Sequence, residues 1–326
     1  MVKIAITGGT GFIGKRLVQQ HLKMGDEVHY LTRTDNQPII GASAIIGDLN
    51  STADRLMPLL SNSVVFYHCA GELKNEALMH SSHVQGTINL LHVVEKAHSQ
   101  NQKNFHWVQL SSCGAYGQAS SPPSIPRYVD ENSQDNPSGE YEHTKTEADK
   151  LIITFAKKHD WFKYTIIRPT IVFGVGMRST LLTRIASMIK KRIFFYVGNK
   201  NAVANFVNVD DVVNAMIMSA NQPEAYNQIF IVSNDCKLSD AVDTVAETLY
   251  VSKPRWVINE LFLRKFVGMA AKWIKVPIGS AQIDVMTRQT YYSNKKIRKA
   301  LDWSPSDSVL VQLKQYIDIV FNEKNG

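Results

Sequence analysis

The chain opens with an apolar strand that runs directly into a spaced set of glycines. Residues 2–6 form a short run with β-branched members, which suits a strand buried in a parallel sheet. Gly8, Gly11 and Gly14 follow at intervals of three. Phe12, Ile13, Leu17, Val18 and Leu22 then share one face of a helix over 12–23. The glycines therefore stand where a strand turns into a helix. Without side chains the turn can be tight, and backbone N–H groups can approach a pyrophosphate at the positive end of the helix. This strand–turn–helix unit predicts a dinucleotide-binding α/β fold.

The rest of the first half keeps the same alternation. Strands are expected at 27–32, 44–47, 63–68, 105–110 and 164–167. Val84, Ile88, Leu91 and Val94 mark one long helix over 77–97, and Ala148, Leu151, Ile152 and Phe155 mark another over 141–157. Such a pattern specifies an α/β fold: a doubly wound parallel Rossmann sheet with right-handed crossovers. Beyond Gly174 the pattern loosens. Helices are expected at 179–191 and 259–275, and a helix over 207–220 with a strand over 228–233 returns to the main sheet. The expected organisation is a dinucleotide domain over 1–172, with 204–234 returning to it. A smaller, discontinuous C-terminal substrate lobe takes 173–203 and 235–326. The segment 117–139 carries Pro122, Pro123, Pro126 and Pro137 and follows the fifth strand, where open α/β sheets bind ligands, so it reads as an active-site wall.

Composition excludes several classes. The chain has 326 residues, 44% hydrophobic and 20% charged, which is ordinary for a globular protein. Lys and Arg outnumber Asp and Glu by 36 to 29, yet the cations are spread out apart from a denser stretch at 255–275. No basic motif interleaved with aromatics suggests nucleic acid, and anionic small ligands are the better match. Cys69, Cys113 and Cys236 are far apart and lack metal-ligand spacing, so neither a disulfide framework nor a metal site is expected, and a reducing cytoplasm fits. No apolar run approaches the ~20 residues of a membrane span. The first residues belong to the glycine-loop strand, which argues against a removable signal. Residues 256–275 are apolar and basic; they read as a lid helix over substrate, with contact to a membrane surface as the alternative.

The chemistry centres on Tyr141-Glu142-His143-Thr144-Lys145. Tyr141 and Lys145 stand four residues apart, on one helix face. A phenol titrates near ~10, and a neighbouring ammonium lowers that value, so Tyr141 can exchange protons nearer neutrality. Ser111-Ser112-Cys113-Gly114-Ala115-Tyr116-Gly117 leaves the fifth strand at the ligand-binding edge. A serine hydroxyl there can hold a carbonyl or alcohol oxygen while Tyr141 transfers its proton. His143 points away from that face.

These segments resemble, nearly end to end, the extended short-chain dehydrogenase/reductases of the NAD-dependent epimerase/dehydratase type. Thr7-Gly8-Gly9-Thr10-Gly11-Phe12-Ile13-Gly14 is similar to their cofactor fingerprint, Gly47-Asp48-Leu49 to the adenine-contact segment and His68-Cys69-Ala70-Gly71 to the fourth-strand motif. Gly86-Thr87-Ile88-Asn89-Leu90-Leu91 resembles their long helix, and Arg168-Pro169-Thr170-Ile171-Val172-Phe173-Gly174 the segment beside the nicotinamide. Val209-Asp210-Asp211-Val212 and Leu301-Asp302-Trp303-Ser304-Pro305 resemble the late landmarks. The resemblance implies Ser112, Tyr141 and Lys145 as catalytic residues. It implies Gly8, Thr10, Gly11, Phe12, Ile13, Gly14, Asp48, Leu49, Ala70, Gly71, Pro169 and Val172, together with Tyr141 and Lys145, as cofactor-binding. Ser112 and Cys113 would face substrate; Arg178, by its place just after Gly174-Val175-Gly176, can meet an anionic group such as a diphosphate, with an ordinary surface arginine as the alternative. The resemblance also implies a UDP- or other nucleotide-sugar substrate, acted on by a 4-keto reductase or a 4-epimerase, and a homodimer built on the helices at 77–97 and 141–157. A sterol- or flavonol-type ketone reductase and a catalytically silent dinucleotide sensor are the alternatives.

Two positions depart from the family pattern. His83 stands where an asparagine is usual, three residues before the Gly-Thr pair, which puts a proton-relay role in doubt. Cys113 and Gly114 replace the Asp-Glu pair of dehydratases, which argues against 4,6-dehydration; Cys113 reads as a small packed residue rather than a catalyst. The second strand ends Tyr30-Leu31-Thr32-Arg33, without the acid that holds a ribose 2′-hydroxyl in NAD sites. Arg33 can pair with a 2′-phosphate, so NADP is favoured over NAD, with Asp35 weakly opposed.

Overall fold

The computed structural model describes residues 2–34, 38–118, 125–177, 181–270 and 280–322. Seven strands form the main sheet: β1 (Lys3–Thr7), β2 (Glu27–Thr32), β3 (Ser43–Ile46), β4 (Val65–His68), β5 (Phe105–Leu110), β6 (Phe162–Pro169) and β7 (Gln228–Val232). Their spatial order is β7-β6-β5-β4-β1-β2-β3, and every pair is parallel. The order reverses between β1 and β4, so a crevice opens beyond the carboxyl ends of these two strands.

Strand alternation sends side chains to two helix layers. Ile4 and Ile6 of β1 pack with Leu17 and Val18 of helix Phe12–Lys23 and with Val212, Val213 and Met216 of helix Val209–Asn221. Ala5 faces the other way, into a core with Phe66, Trp107, Leu56, Leu90, Val94 and Ile152. That second layer comprises Ala53–Leu60, Gly86–Asn101 and Glu140–Ala156. Trp303 closes the first layer; its indole N–H donates to the Asp211 carbonyl, while the Asp211 carboxylate accepts from Ser306 N–H and the Gln312 amide.

Two expected elements differ in detail. The single helix expected over 77–97 is three consecutive pieces, Glu76–His80, a π-helical turn Ser81–Gln85 and Gly86–Asn101. The extra residue of that turn brings His83 into the interior, 1% exposed. The segment expected as loop over 117–139 contains a strand, Arg127–Val129, that pairs in parallel with Thr290–Tyr292. Its partner lies far along the chain, so no local pattern reveals it. Arg127 N–H and Ser293 N–H donate to Gln289 and Val129 carbonyls at the two ends of this pairing.

A second core lies apart from the sheet. Phe173, Leu182, Ile189, Phe206, Leu238, Val242, Val245, Leu313 and Tyr316 fill it. It is edged by two-residue strands, Val203–Ala204 against Cys236–Lys237 and Tyr196–Val197 against Val257–Ile258. Among the described residues, no helix is long and apolar enough to cross a membrane, and no cluster of His, Cys, Asp or Glu could hold a metal ion.

Candidate active site

The glycine loop sits at the crevice between β1 and β4. Gly8 has φ +68°, and a Cβ there would stand 2.7 Å from the Ala70 N, backbone that cannot yield. A Cβ on Gly14 would overlap the Gly8 carbonyl oxygen. Gly11 begins helix Phe12–Lys23 with no side-chain cap and no acid in the first turn. The loop therefore offers uncapped N–H groups and a close backbone approach, and these fit a pyrophosphate. Thr10 and Gly11 are exposed, Phe12 and Ile13 half-buried and Gly14 buried. The Arg16 guanidinium lies over the Phe12 ring, pairs with Asp210 and donates to the Val175 carbonyl, which ties this helix to the chain beyond β6.

The other expected cofactor residues ring the crevice. Ala70 and Gly71 follow β4; Ala70 N–H donates to Thr7 Oγ1, which shares a hydrogen bond with buried His68. Asp48 is exposed and caps Asn50 N–H, and buried Leu49 packs where Gly86 leaves room. Pro169 ends β6, Val172 is half-buried, and a Cβ on Gly174 would come within 3.5 Å of the Phe12 ring. Arg33 is exposed just past β2. Its charge reaches Glu72, whose carboxylate is held below its usual pKa mainly by the N–H groups of Lys74 and Asn75. Arg178 and Asp35 lie outside the described residues.

Ser112 stands two residues beyond β5, and its Oγ accepts the Gly114 N–H at 3.0 Å. Lys145 is buried on helix Glu140–Ala156 and donates to the carbonyl of Leu110, the last residue of β5. This bond joins the Tyr141 helix to the strand that presents Ser112. Burial lowers the Lys145 pKa, against the pull of Asp149. Tyr141 differs from expectation. Burial, then the charges of Glu142 and Asp149, push its phenol up to about 12. The Lys145 ammonium bonds the Leu110 carbonyl, and burial sets the direction of the Tyr141 shift. At neutral pH the phenol is protonated, the form that donates a proton.

His83 is fully engaged. Its Nε2 accepts the Glu72 N–H at 3.0 Å, its Nδ1 lies 2.8 Å from Thr144 Oγ1, and its ring meets the Tyr141 ring edge-on at 5.5 Å. Thr144 Oγ1 spends its proton on the Glu140 carbonyl, so it accepts from His83, and the imidazole is the neutral Nδ1–H tautomer. Burial and Lys145 hold the His83 pKa at about 4. With both nitrogens committed, the ring pins the loop after β4 to the Tyr141 helix and does not relay protons.

Cys113 is packed, as its residue type suggested, which corrects its expected place facing substrate. It is 4% exposed, packs with Tyr116, Val129 and Ile231, and donates to the Arg168 carbonyl, so it is turned away from substrate. Burial pushes its thiol pKa well up, which makes it inert.

Three polar side chains were not singled out from the sequence. Asp149 is fully buried, accepts from Ser111 at 2.7 Å and pairs with Arg168, which also bridges to Asp135 at 2.7 Å. This network fixes the floor beneath Lys145. Its only sequence signal is the i,i+4 spacing of Lys145 and Asp149. Thr144 is the second. Glu142 is the third: a Cβ on Gly114 would stand 2.6 Å from its Cγ, so its stem fills the space that Gly114 leaves. The missing side chain at 114 was the clue to it.

This fold and residue set define an extended short-chain dehydrogenase/reductase. The family model "NAD dependent epimerase/dehydratase family" matches residues 4–232, and the chain belongs to that family. A relative named UDP-glucose 4-epimerase, from Vibrio cholerae, is 26% identical over 96% of this chain and 93% of its own. Among solved structures, MoeE5 in complex with UDP-glucose and NAD superposes with TM-score 0.75 at 20% identity, over 99% of this chain and all of that one. RMD from Pseudomonas aeruginosa complexed with NADPH gives TM-score 0.68 at 18% identity, over 97% and 98%.

Proposed function

We propose that this protein transfers hydride between a nicotinamide dinucleotide and the C4 position of a nucleotide-diphosphate sugar, as a 4-keto reductase that prefers NADP. The observation that carries the reading is the bond from Lys145, one helical turn beyond Tyr141, to the carbonyl of Leu110 at the end of β5, two residues before Ser112. Gly8, Thr10, Gly11, Phe12, Ile13 and Gly14 hold the pyrophosphate, Asp48 and Leu49 the adenine side, and Ala70, Gly71, Pro169 and Val172 the nicotinamide side. Arg33 meets a 2′-phosphate. When bound, the dinucleotide supplies or accepts the hydride.

The protein's own work is proton transfer. The Tyr141 phenol, protonated at neutral pH, gives its proton to the carbonyl oxygen as that oxygen gains charge. The Ser112 hydroxyl donates to the same oxygen. Lys145 lends positive charge to the phenolate left behind and holds the ribose. The segments 173–203 and 235–326, with Arg178, form the substrate lobe. The name of the Vibrio relative and the UDP-glucose in MoeE5 support a sugar nucleotide. The former also favours a second reading, a 4-epimerase that retains its cofactor.

The test is incubation with UDP-sugars and UDP-4-keto-sugars, with and without NADPH. Stoichiometric NADPH loss with a keto-sugar is the expected result. Epimer formation without added cofactor replaces the reductase by the epimerase. Cofactor binding without turnover of any sugar overturns both.

A further inference from the structure

Helix Glu260–Ala270 has an inner and an outer face of opposite logic to a soluble helix. Leu263 and Val267 face inward, in a core with Val197 and Ile283. Arg264 lies beside them, half-buried, paired with Glu260 and Asp284. The outer arc should be polar. Instead it presents Leu261, Phe262, Phe266 and Met269, which are 71%, 66%, 51% and 64% exposed. Trp256, 79% exposed, immediately precedes the strand Val257–Ile258 that leads into the helix. Lone exposed apolar residues are ordinary, but a run of large ones on one arc marks an interaction surface.

Charge selects the occupant. In the centre of the arc stands Lys265, and Arg255 flanks Trp256; both are exposed. Between residues 252 and 270 the only acid is Glu260, and Arg264 engages it. The face is therefore apolar and cationic, within a chain of net charge +7. Lysine is depleted from protein–protein interfaces, where its charge would be stranded. At a lipid surface its stem runs along the apolar layer and its ammonium reaches the headgroups. Tryptophan likewise favours that boundary.

We propose that the outer face of helix Glu260–Ala270, with Trp256, docks on an anionic lipid surface. The helix lies in the plane of the interface, with Phe262 and Phe266 inserted and Lys265 and Arg255 against phosphate headgroups. The inner face keeps Leu263 and Val267 on the protein, so docking requires no unfolding of the lobe.

Co-sedimentation of the full chain with vesicles tests it. One set is phosphatidylcholine alone; in the other, part is replaced by phosphatidylglycerol. The protein should pellet with the anionic vesicles, and added salt should release it. A Phe262→Ser/Phe266→Ser variant should bind roughly tenfold more weakly or worse while keeping its melting temperature. Lys265→Glu should lose the preference for anionic vesicles. Wild-type protein that stays in the supernatant with both vesicle types overturns the proposal. Equal binding by the double serine variant overturns it too. A self-association on size-exclusion chromatography that the double variant abolishes, without vesicle binding, assigns the face to a second copy and overturns it as well.

Discussion

The sheet half and the peripheral lobe treat their side chains in opposite ways. Around β1, β4 and β5, apolar residues are buried and polar ones are locked: Thr7 to His68, His83 to Glu72 and Thr144, Lys145 to Leu110. Around helix Glu260–Ala270, strands are two residues long and large apolar side chains face outward. The lesson is a division of labour. The hydride and proton transfer proposed for that half tolerates small errors poorly, which fits its over-determination. The lobe carries fewer mutual constraints and can be adapted to substrate and surroundings.

Substitutions in the two halves should therefore differ in kind, and five ranked tests can break the comparison. Tyr141→Phe should lower turnover by about three orders of magnitude, while cofactor affinity by fluorescence titration stays within a few-fold. An unchanged rate removes Tyr141 from the chemistry. Next are the buried histidines. His106 is held at about 4 by burial, below the ordinary imidazole value of 6.5, and pairs with Thr165. Its folded pKa is depressed, so it contributes most above pH 6.5, and that contribution is lost as pH falls toward 4. Melting curves should show the wild type losing up to about 3 kcal/mol more than His106→Gln over that window. Parallel curves would mean that the ring is not held neutral.

Gly14→Ala forces a Cβ onto the Gly8 carbonyl. It should cost about 1–3 kcal/mol of stability by thermal melting and abolish cofactor binding. Arg33→Ser should raise the KM for NADPH by about tenfold and leave that for NADH unchanged, as expected for one lost charged contact to phosphate. Equal effects on both cofactors would remove the 2′-phosphate role. The smallest effect belongs to the lobe: Phe262→Ser should change stability by less than about 0.5 kcal/mol. A large loss would show that its outer face is core after all, and the comparison would fail.

What the sequence made legible follows the range of the forces involved. Gly8, Gly11 and Gly14 announce their turn because backbone sterics act locally, and the strands of the sheet show in short apolar runs. Ser112, Tyr141 and Lys145 stand out by motif, but the sign of the Tyr141 shift does not, because desolvation depends on what packs around the phenol. Cys113 read as a small packed residue, and its neighbours Tyr116, Val129 and Ile231 bear that out against a substrate contact. His83 was visible as a departure from the family, but its role needed the π-helical turn and Thr144 from another helix. Arg168 with Asp135 and Asp149 joins three separate segments, and no local pattern encodes that.

The pairing of Arg127–Val129 with Thr290–Tyr292 sets a limit on when this protein can begin to work. The wall segment that leads into Gly139 and the Tyr141 helix is stitched in place by a strand from near the end of the chain. On the ribosome, the sheet up to β6 can assemble early, but the wall has no partner until residue 292 has emerged. The site thus closes among the last events of synthesis. A chain cut short before that strand would keep its glycine loop and Tyr141, yet lack the seam that holds the segment between them.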